Sequence, residues 1–206
     1  MSLSQKSARP ALPGPELARS DAANLRAEFS ALLQQIGSPD FFGFFDASFD
    51  APSASGFLQN YLTHLLLPVE LPAIAEACGH AMRRELRELV AQDHRLTTQM
   101  GVTPFASPSR RIGRFQLARL RPLRDERIVR RYLAAVESGR AEGWHTVVYG
   151  LTLALYSLPL RQGLLHYAQE TLATLAKNCG SPDGARPVDA LMERVPAAVE
   201  AALAHC

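Results

Sequence analysis

The sequence predicts an all-α fold, on two observations. Apolar residues recur three or four positions apart through most of the 206 residues, which is the spacing of one face of an α-helix. No stretch alternates apolar and polar residues for long, as a half-buried strand would. Hydrophobic residues make up 47% of the chain, which is enough for a sizeable core. We therefore expect a single-domain helical bundle.

The chain is predicted to begin with a tail, followed by the first helix. Residues 1–20 are rich in Pro, Ser and Ala, which is typical of a flexible tail, so we expect the helical domain over residues 21–206. Asp21 is a candidate N-cap and Gly37 a candidate C-cap of the first helix. Its apolar face is formed by Leu25, Phe29, Leu32, Leu33 and Ile36.

An aromatic loop is expected after this helix. Residues 38–56 contain five phenylalanines and two glycines without a strand pattern. Such a loop is predicted to be buried against helices or against a protein partner. Phe41, Phe44 and Phe45 are accordingly predicted to bind a partner, although burial within the chain would explain them equally well.

The middle of the chain is predicted to hold two or three helices within residues 56–99. Pro68 and Pro72 are expected at a bend or at helix starts. The last of these helices includes Asp93 on a largely apolar face. A proline- and glycine-containing loop follows, and Ser109 is a candidate N-cap of the next helix.

Helices are also predicted in the second half of the chain. Pro122 is expected to begin a helix that ends near Gly139. Residues 142–158 are apolar nearly all round, which predicts a central buried helix. A further helix ends at residues 178–180, and Pro196 marks the start of the last one.

Composition excludes several classes of protein. The three cysteines, Cys78, Cys179 and Cys206, form no C-x-x-C pair, which argues against a disulfide framework or a zinc knuckle. The N-terminus lacks the apolar core of a secretory signal. The most apolar span, Trp144 to Leu160, is interrupted by polar residues, so no membrane crossing is predicted. We expect a cytoplasmic protein.

Positive charge is concentrated in residues 107–132, which hold nine arginines against Asp125 and Glu126. The whole chain carries a net charge of only +2, so the basic character is local. A general binder of polyanions usually spreads more positive charge than this. Neither base-stacking aromatic residues nor a recognition helix is evident, so nucleic acid is not an expected partner.

Helical spacing places the arginines of this segment on one side of a helix. Arg110 and Arg114 share a face with Arg121, whereas Ile112 and Phe115 are expected to point the other way. A solvated basic face would give the same pattern. The functional alternative is a surface that binds acidic patches of a protein, because arginine is favoured at interfaces.

Signs of catalysis or of metal binding are few. Phosphate-binding, dinucleotide-binding and nucleophile-elbow motifs are absent from the sequence, and the six histidines are scattered. His145 is more simply interpreted as a core histidine, with metal handling as a weak alternative. A small helical enzyme with His145, Asp93 or Glu170 as acid–base groups is the enzymatic alternative.

Four segments, in order and in register, resemble the urease accessory protein UreF family. They contain a Ser-Pro and Gly-x-Phe element, a polar helix, a Ser-x-x-x-Gly-Arg helix and a Gly-x-His helix with the helix after it. These segments are LLQQIGSPDFFGFF (32–45), ELVAQDHRLTTQ (88–99), SRRIGRFQLARL (109–120) and GWHTVVYGLTLALYSLPLRQGLLHYAQETLATL (143–175).

The resemblance implies an all-helical scaffold without catalytic residues or a cofactor of its own. Family members act with UreD and the GTPase UreG, often as dimers, and help nickel to reach apo-urease. On this interpretation UreD-like and UreG-like proteins and apo-urease are the partners, and the complex handles the nickel. The predicted partner-binding arginines are Arg110, Arg111, Arg114 and Arg119.

The sequence departs from the family pattern after Phe45. The family's Ser-x-Gly-Leu-Glu element is replaced there by DASFDAPSASG. A divergent chaperone for the maturation of another metalloenzyme is therefore the alternative within this interpretation.

Overall fold

The computed structural model describes residues 54–120, 127–179 and 185–204. Every regular element in these ranges is helical and none is a strand, which confirms the predicted all-α class for this part of the chain. The predicted tail, first helix and aromatic loop lie outside the described residues, as do Pro122 and Cys206.

The described ranges contain nine α-helices and one π-helical stretch. In chain order the α-helices are α1 (Ala54–Tyr61), α2 (Leu71–Met82), α3 (Leu86–Met100), α4 (Ala106–Arg119), α5 (Arg127–Glu137), α6 (His145–Leu155), α7 (Leu160–Asn178), α8 (Ala185–Met192) and α9 (Val195–Leu203). The π-helical stretch, Leu62–Glu70, joins α1 to α2.

Pro72 lies in the first turn of α2, which is one of the two predicted positions, whereas Pro68 lies inside one continuous helix, Ser55–Met82, that α1, the π-helical stretch and α2 form together. Pro68 lies inside the π-helical stretch, where Leu71 donates its N–H to the carbonyl of Leu66 five residues earlier. In an α-helix the ring of a proline clashes with the carbonyl four residues before it. The wider π-helical turn accommodates Pro68 without a break.

This long helix is also, by length and composition, able to cross a membrane, which the sequence did not lead us to expect. Its most apolar window has a mean hydropathy of 1.2, and 56% of that window is buried inside the fold. A core helix of a folded domain can have the same length and apolar composition, because other helices cover it on several sides.

Helix α6 lies at the centre of the fold, as its sequence predicts. All residues from His145 to Leu153 are buried. Helix α2 crosses α6 at short range, since a Cβ added at Gly150 would lie 2.5 Å from the carbonyl oxygen of Ile74 and 2.8 Å from the Cβ of Ala77. Real side chains do not approach backbone this closely, so glycine sets the separation of α2 and α6.

Three helices end in the same capping motif. At the end of α5, Gly139 has φ 73° and Arg140 donates its N–H to the carbonyl of Ala135, which is the pattern of a Schellman cap. The ends of α2 and α6 repeat it with Arg84 (φ 60°) and Ser157 (φ 50°) at the position that glycine usually takes. The predicted end of α5 near Gly139 is confirmed.

The predicted N-cap of α4 is wrong. The helix begins at Ala106 with Phe105 as N-cap, and Ser109 donates its N–H to the carbonyl of Phe105 within the first turn. Pro108 lies in the same turn, where a missing N–H breaks no bond of the helix. The proline that was expected to belong to the preceding loop is therefore part of the helix.

Candidate functional site: a basic helix and its buried supports

Two of the predicted arginines on α4 are tied to the chain segment that leads into α6. Arg110 and Arg114 reach the carboxylate of Glu142 at 3.3 and 2.9 Å, and Arg114 also donates to the carbonyl oxygen of Glu142 at 2.8 Å. The guanidinium of Arg110 lies 5.4 Å from the ring centre of Trp144. These two side chains therefore connect α4 with the segment before α6.

The other two predicted arginines lie on the outer side of α4. Arg111 and Arg119 are exposed, and the guanidinium of Arg119 stands 5.9 Å from the ring centre of Phe115. Phe115 is 43% exposed, and at 100° per residue it lies on a different side of α4 from Arg110 and Arg114. An exposed aromatic ring between two arginines is a combination typical of protein interfaces. We call Arg111, Phe115 and Arg119 the outer face of α4.

Asp93 holds the segment before α6 in place through hydrogen bonds. This residue is fully buried, and its carboxylate accepts the N–H groups of Glu142 at 2.6 Å, Gly143 at 3.0 Å and Trp144 at 3.4 Å. The hydroxyl of Tyr132 donates to it at 2.6 Å. Asp93 thus connects α3 and α5 to the N-terminal end of α6, where backbone N–H groups lack partners within the helix.

Helix α4 rests directly on this segment because Gly113 has no side chain. A Cβ at Gly113 would overlap the carbonyl oxygen of Gly143 and would lie 2.7 Å from the backbone N of His145. The contact fixes the basic helix against the start of the central helix. The outer face of α4 therefore belongs to a helix that packs directly on the segment before α6.

His145 lies at the start of α6, among aromatic rings. Its ring centre is 5.5 Å from that of Tyr167 and 6.2 Å from that of Tyr149. Burial lowers the pKa of His145 to about 3, so the ring is neutral at physiological pH. No group of three or more His, Cys, Asp or Glu side chains that could hold a metal ion is found in the part of the chain that the structure describes.

A second buried carboxyl group, Glu70, lies at the end of the π-helical stretch. It is 1% exposed, and it accepts the hydroxyl of Tyr61 at 2.7 Å and that of Tyr167 at 3.4 Å. Burial raises the pKa of Glu70 to about 7, and the two tyrosine hydrogen bonds oppose this increase. Burial and the nearby Glu70 raise the pKa of both tyrosines above its ordinary value.

The π-helical geometry makes the contact between Tyr61 and Glu70. Residues nine positions apart lie on opposite sides of an α-helix, at 100° per residue. A helix with hydrogen bonds to the fifth residue has about 4.4 residues per turn, which returns the ninth residue to the same side. Sequence periodicity taken at α-helical spacing therefore missed this pair, and the only signal was an acidic residue beside two prolines in an apolar run.

Two of the three residues of the enzymatic alternative, Asp93 and His145, are fully buried. Both oxygens of Asp93 are occupied by backbone and tyrosine donors, and His145 is neutral and fully buried. Glu170 is partly buried on α7, and its negative charge raises the pKa of Tyr149. Glu142, which sequence reasoning passed over, is the acidic partner of the basic helix. The predicted partner residues Phe41, Phe44 and Phe45 lie outside the described residues.

In the described residues, fold and site together define a bundle of helices that presents basic side chains from a helix packed on the core. The family model of UreF matches residues 49–180, which include all of α1 to α7. The chain therefore belongs to the UreF family, a family of urease accessory proteins. No curated protein and no solved structure matches the chain.

Proposed function

We propose that this protein is a non-catalytic scaffold of urease maturation. It binds UreD-like and UreG-like proteins in the cytoplasm and supports the insertion of nickel into apo-urease, with nickel as the cargo of the complex. The observation that carries this proposal is the match of the UreF family model over residues 49–180. The chain needs no cofactor of its own for this role, and homodimers are part of the proposal.

The outer face of α4 is the proposed docking surface for one of these partners. Arg111, Phe115 and Arg119 combine fixed positive charge with an exposed aromatic ring. Arginine and aromatic side chains contribute most to binding where an acidic partner covers them. Arg110 and Arg114 support this surface indirectly, because Glu142 holds them in place.

The test is reconstitution with UreD-like and UreG-like proteins and an apo-urease. We expect the wild-type chain to co-elute with these proteins on gel filtration and to raise nickel-dependent urease activity. Charge reversal of the outer face, Arg111→Glu with Arg119→Glu, should weaken binding about tenfold or more. Sedimentation of the chain alone would measure the proposed dimer.

The matched control reverses Arg87 and Arg130, which are also exposed and lie on other helices. This control should bind within about twofold of wild type, since rim charges contribute little to affinity. Failure of the wild-type chain to bind any of the three proteins would refute the proposed function. Equal losses in both double variants would leave net charge, and not this surface, as the cause.

A further inference from the structure

Three arginines converge on a cleft on a different part of the surface. Arg84 follows the end of α2, and Arg127 and Arg131 lie one turn apart on α5. Together with Leu86 and Ile128 they line a cleft of about 190 Å³. A second cleft of about 220 Å³ adjoins it, sharing Arg84 and Ile128 and adding Ala81, Met82, Ala154 and Leu155. We call the two together the arginine cleft.

Among the described residues, no acidic side chain pairs with the guanidinium groups of the arginine cleft. Arg84, Arg127 and Arg131 are exposed, and none of the ion pairs found among the described residues includes them. Arg110 and Arg114, in contrast, share Glu142. Three like charges around one cleft repel each other, so an acidic ligand placed between them gains from all three.

The cleft also offers an apolar surface beside the positive charge. Met82 is 70% exposed, which is unusual for a large hydrophobic side chain, and it lies next to Ile128 and Leu155. Methionine is common at surfaces that accept varied apolar side chains, because it is flexible and polarizable. Nucleic acid is less well suited to the site, since none of the described residues that line it carries an aromatic ring for base stacking.

Arg84 occupies the left-handed position of the Schellman cap of α2, with φ 60°, where glycine is the usual residue. Ser157 takes the same position in the cap of α6, with φ 50°, so this conformation by itself does not mark a binding site. The place of Arg84 in the proposed site rests on its position at the cleft beside Arg127 and Arg131.

We propose that the arginine cleft docks an acidic, amphipathic segment of a protein partner. Carboxylates of the segment pair with Arg84, Arg127 and Arg131, while one large apolar side chain packs against Met82, Ile128 and Leu155. The proposal goes beyond the scaffold function, because it concerns a second surface and holds whichever protein supplies the segment. Guanidinium groups suit this role because each can hold a carboxylate by two parallel hydrogen bonds.

The first experiment uses a synthetic probe, a fluorescein-labelled peptide of about 15 residues with Glu on one helical face and Leu on the other. Fluorescence anisotropy with the full chain should show saturable binding that weakens with salt. Arg127→Gln with Arg131→Gln should weaken it about tenfold or more, and replacement of Glu by Gln in the peptide should do the same. Equal binding of the two peptides would overturn the proposal.

The matched control is Arg87→Gln with Arg130→Gln, which removes the same charge from exposed positions that do not line the cleft. It should bind the acidic peptide within about twofold of wild type. If this control lost as much affinity for the peptide as the cleft variant, net charge would explain the binding, and the proposal would be contradicted.

Arg84→Gly separates a binding role from a structural one. Glycine suits the left-handed position, so the midpoint temperature of unfolding should stay equal or rise while peptide binding falls. Unchanged binding in this variant would exclude Arg84 from the site.

Two further outcomes would also overturn the proposal: tighter binding of a single-stranded DNA oligonucleotide at the cleft, or a homodimer that the cleft variant dissociates.

A second arm repeats the cleft variants in the reconstituted urease-maturation complex. If the wild-type chain forms no complex, the proposed scaffold function is refuted. The peptide titration still tests whether the arginine cleft binds an acidic segment. If the complex forms and the cleft variants bind the peptide weakly but the complex normally, the acidic segment belongs to a protein outside that complex.

Discussion

Asp93 and Glu70 are both buried carboxyl groups, and they differ in the donors that surround them. Asp93 receives three backbone N–H groups and a tyrosine hydroxyl, whereas Glu70 receives two tyrosine hydroxyls. The backbone donors of Asp93 come from a single segment, residues 142–144. Asp93 therefore fixes the path of the chain into α6, while Glu70 joins the π-helical stretch to α7.

Replacement of Asp93 by Asn should destabilise the protein by about 3 kcal/mol, because an amide NH2 would face donors that need an acceptor. Tyr132→Phe removes one donor and leaves the backbone bonds, so its cost should be nearer to 1.5 kcal/mol, about the value of one hydrogen bond to a charged group. Urea unfolding at 25 °C would measure both. A smaller effect for Asp93→Asn than for Tyr132→Phe would contradict this account.

The sequence placed Asp93 correctly on an apolar helix face, and a charged residue there indicates a buried carboxyl group with donors. It did not predict those donors, because three of them belong to the backbone about fifty positions later in the chain. Backbone groups have no signature in a sequence. For this reason the same residue could also be considered as an acid–base group.

At the scale of elements, the crossing of α2 and α6 depends on one missing side chain. Gly150→Ala would improve intrinsic helix propensity by about 1 kcal/mol. The added methyl would meet the backbone of α2 at Ile74 and Cys78, so we expect a net destabilisation of about 2 kcal/mol from overpacking. Thermal unfolding followed by circular dichroism would detect this as a lower midpoint temperature.

Gly139→Ala is the control for this prediction. Nothing lies within 4 Å of a Cβ at Gly139, so the variant reports only the strain of a left-handed backbone, about 1 kcal/mol. If Gly150→Ala proved as stable as wild type, the two helices would have to separate without cost. The close crossing would then not be a determinant of stability.

The elements themselves could be predicted to different degrees. The central position of α6 followed from its composition, since a helix that is apolar all round has to be covered on every side. The start of α4 and the continuity of the helix through Pro68 could not be predicted from the usual preferences of proline. In both places the proline occupies a position where its missing N–H is tolerated, and local hydrogen bonding decides this.

At the scale of the whole molecule, buried ionisable groups give stability two opposing dependences on pH. The pKa of Glu70 is raised from 4.5 to about 7. Its stabilising contribution to the free energy of unfolding is therefore fully present below pH 4.5 and is lost as pH rises through 7. The pKa values of His145 and His166 are lowered to about 3 and about 4. The two histidines therefore contribute to the free energy of unfolding above pH 6.5, and this stabilisation is lost as pH falls towards their lowered pKa values.

Glu70→Gln isolates the carboxyl contribution. Relative to wild type, this variant should gain on the order of 3 kcal/mol in unfolding free energy between pH 4.5 and pH 7.5, because it has no charge to bury. Urea unfolding of both proteins across this range measures the difference and cancels the histidines. A difference that stays constant with pH would show that Glu70 titrates in the folded protein as it does in the unfolded chain.

The whole fold was predictable as a class, and the basic helix as a surface, because apolar spacing and charge are both read directly from residue types. Which arginines share an acidic partner could not be predicted, since the nine arginines of residues 107–132 are alike in the sequence. Arg110 and Arg114 form ion pairs with Glu142, which belongs to a separate segment of the chain. The arginine cleft likewise draws Arg84 from one helix end and Arg127 and Arg131 from another helix.

The π-helical stretch makes the number of residues between Tyr61 and Glu70 critical. Deletion of one residue there would allow the wider turns to relax to an ordinary α-helix, and α1 would rotate by about 60° relative to α2, since eight α-helical steps replace nine π-helical ones. The tyrosine hydroxyl would leave the carboxyl group, and Phe57 would be carried away from the Phe105 ring, whose centre now lies 6.1 Å away. Insertions and deletions in this stretch should therefore be far less tolerated than substitutions of the same residues.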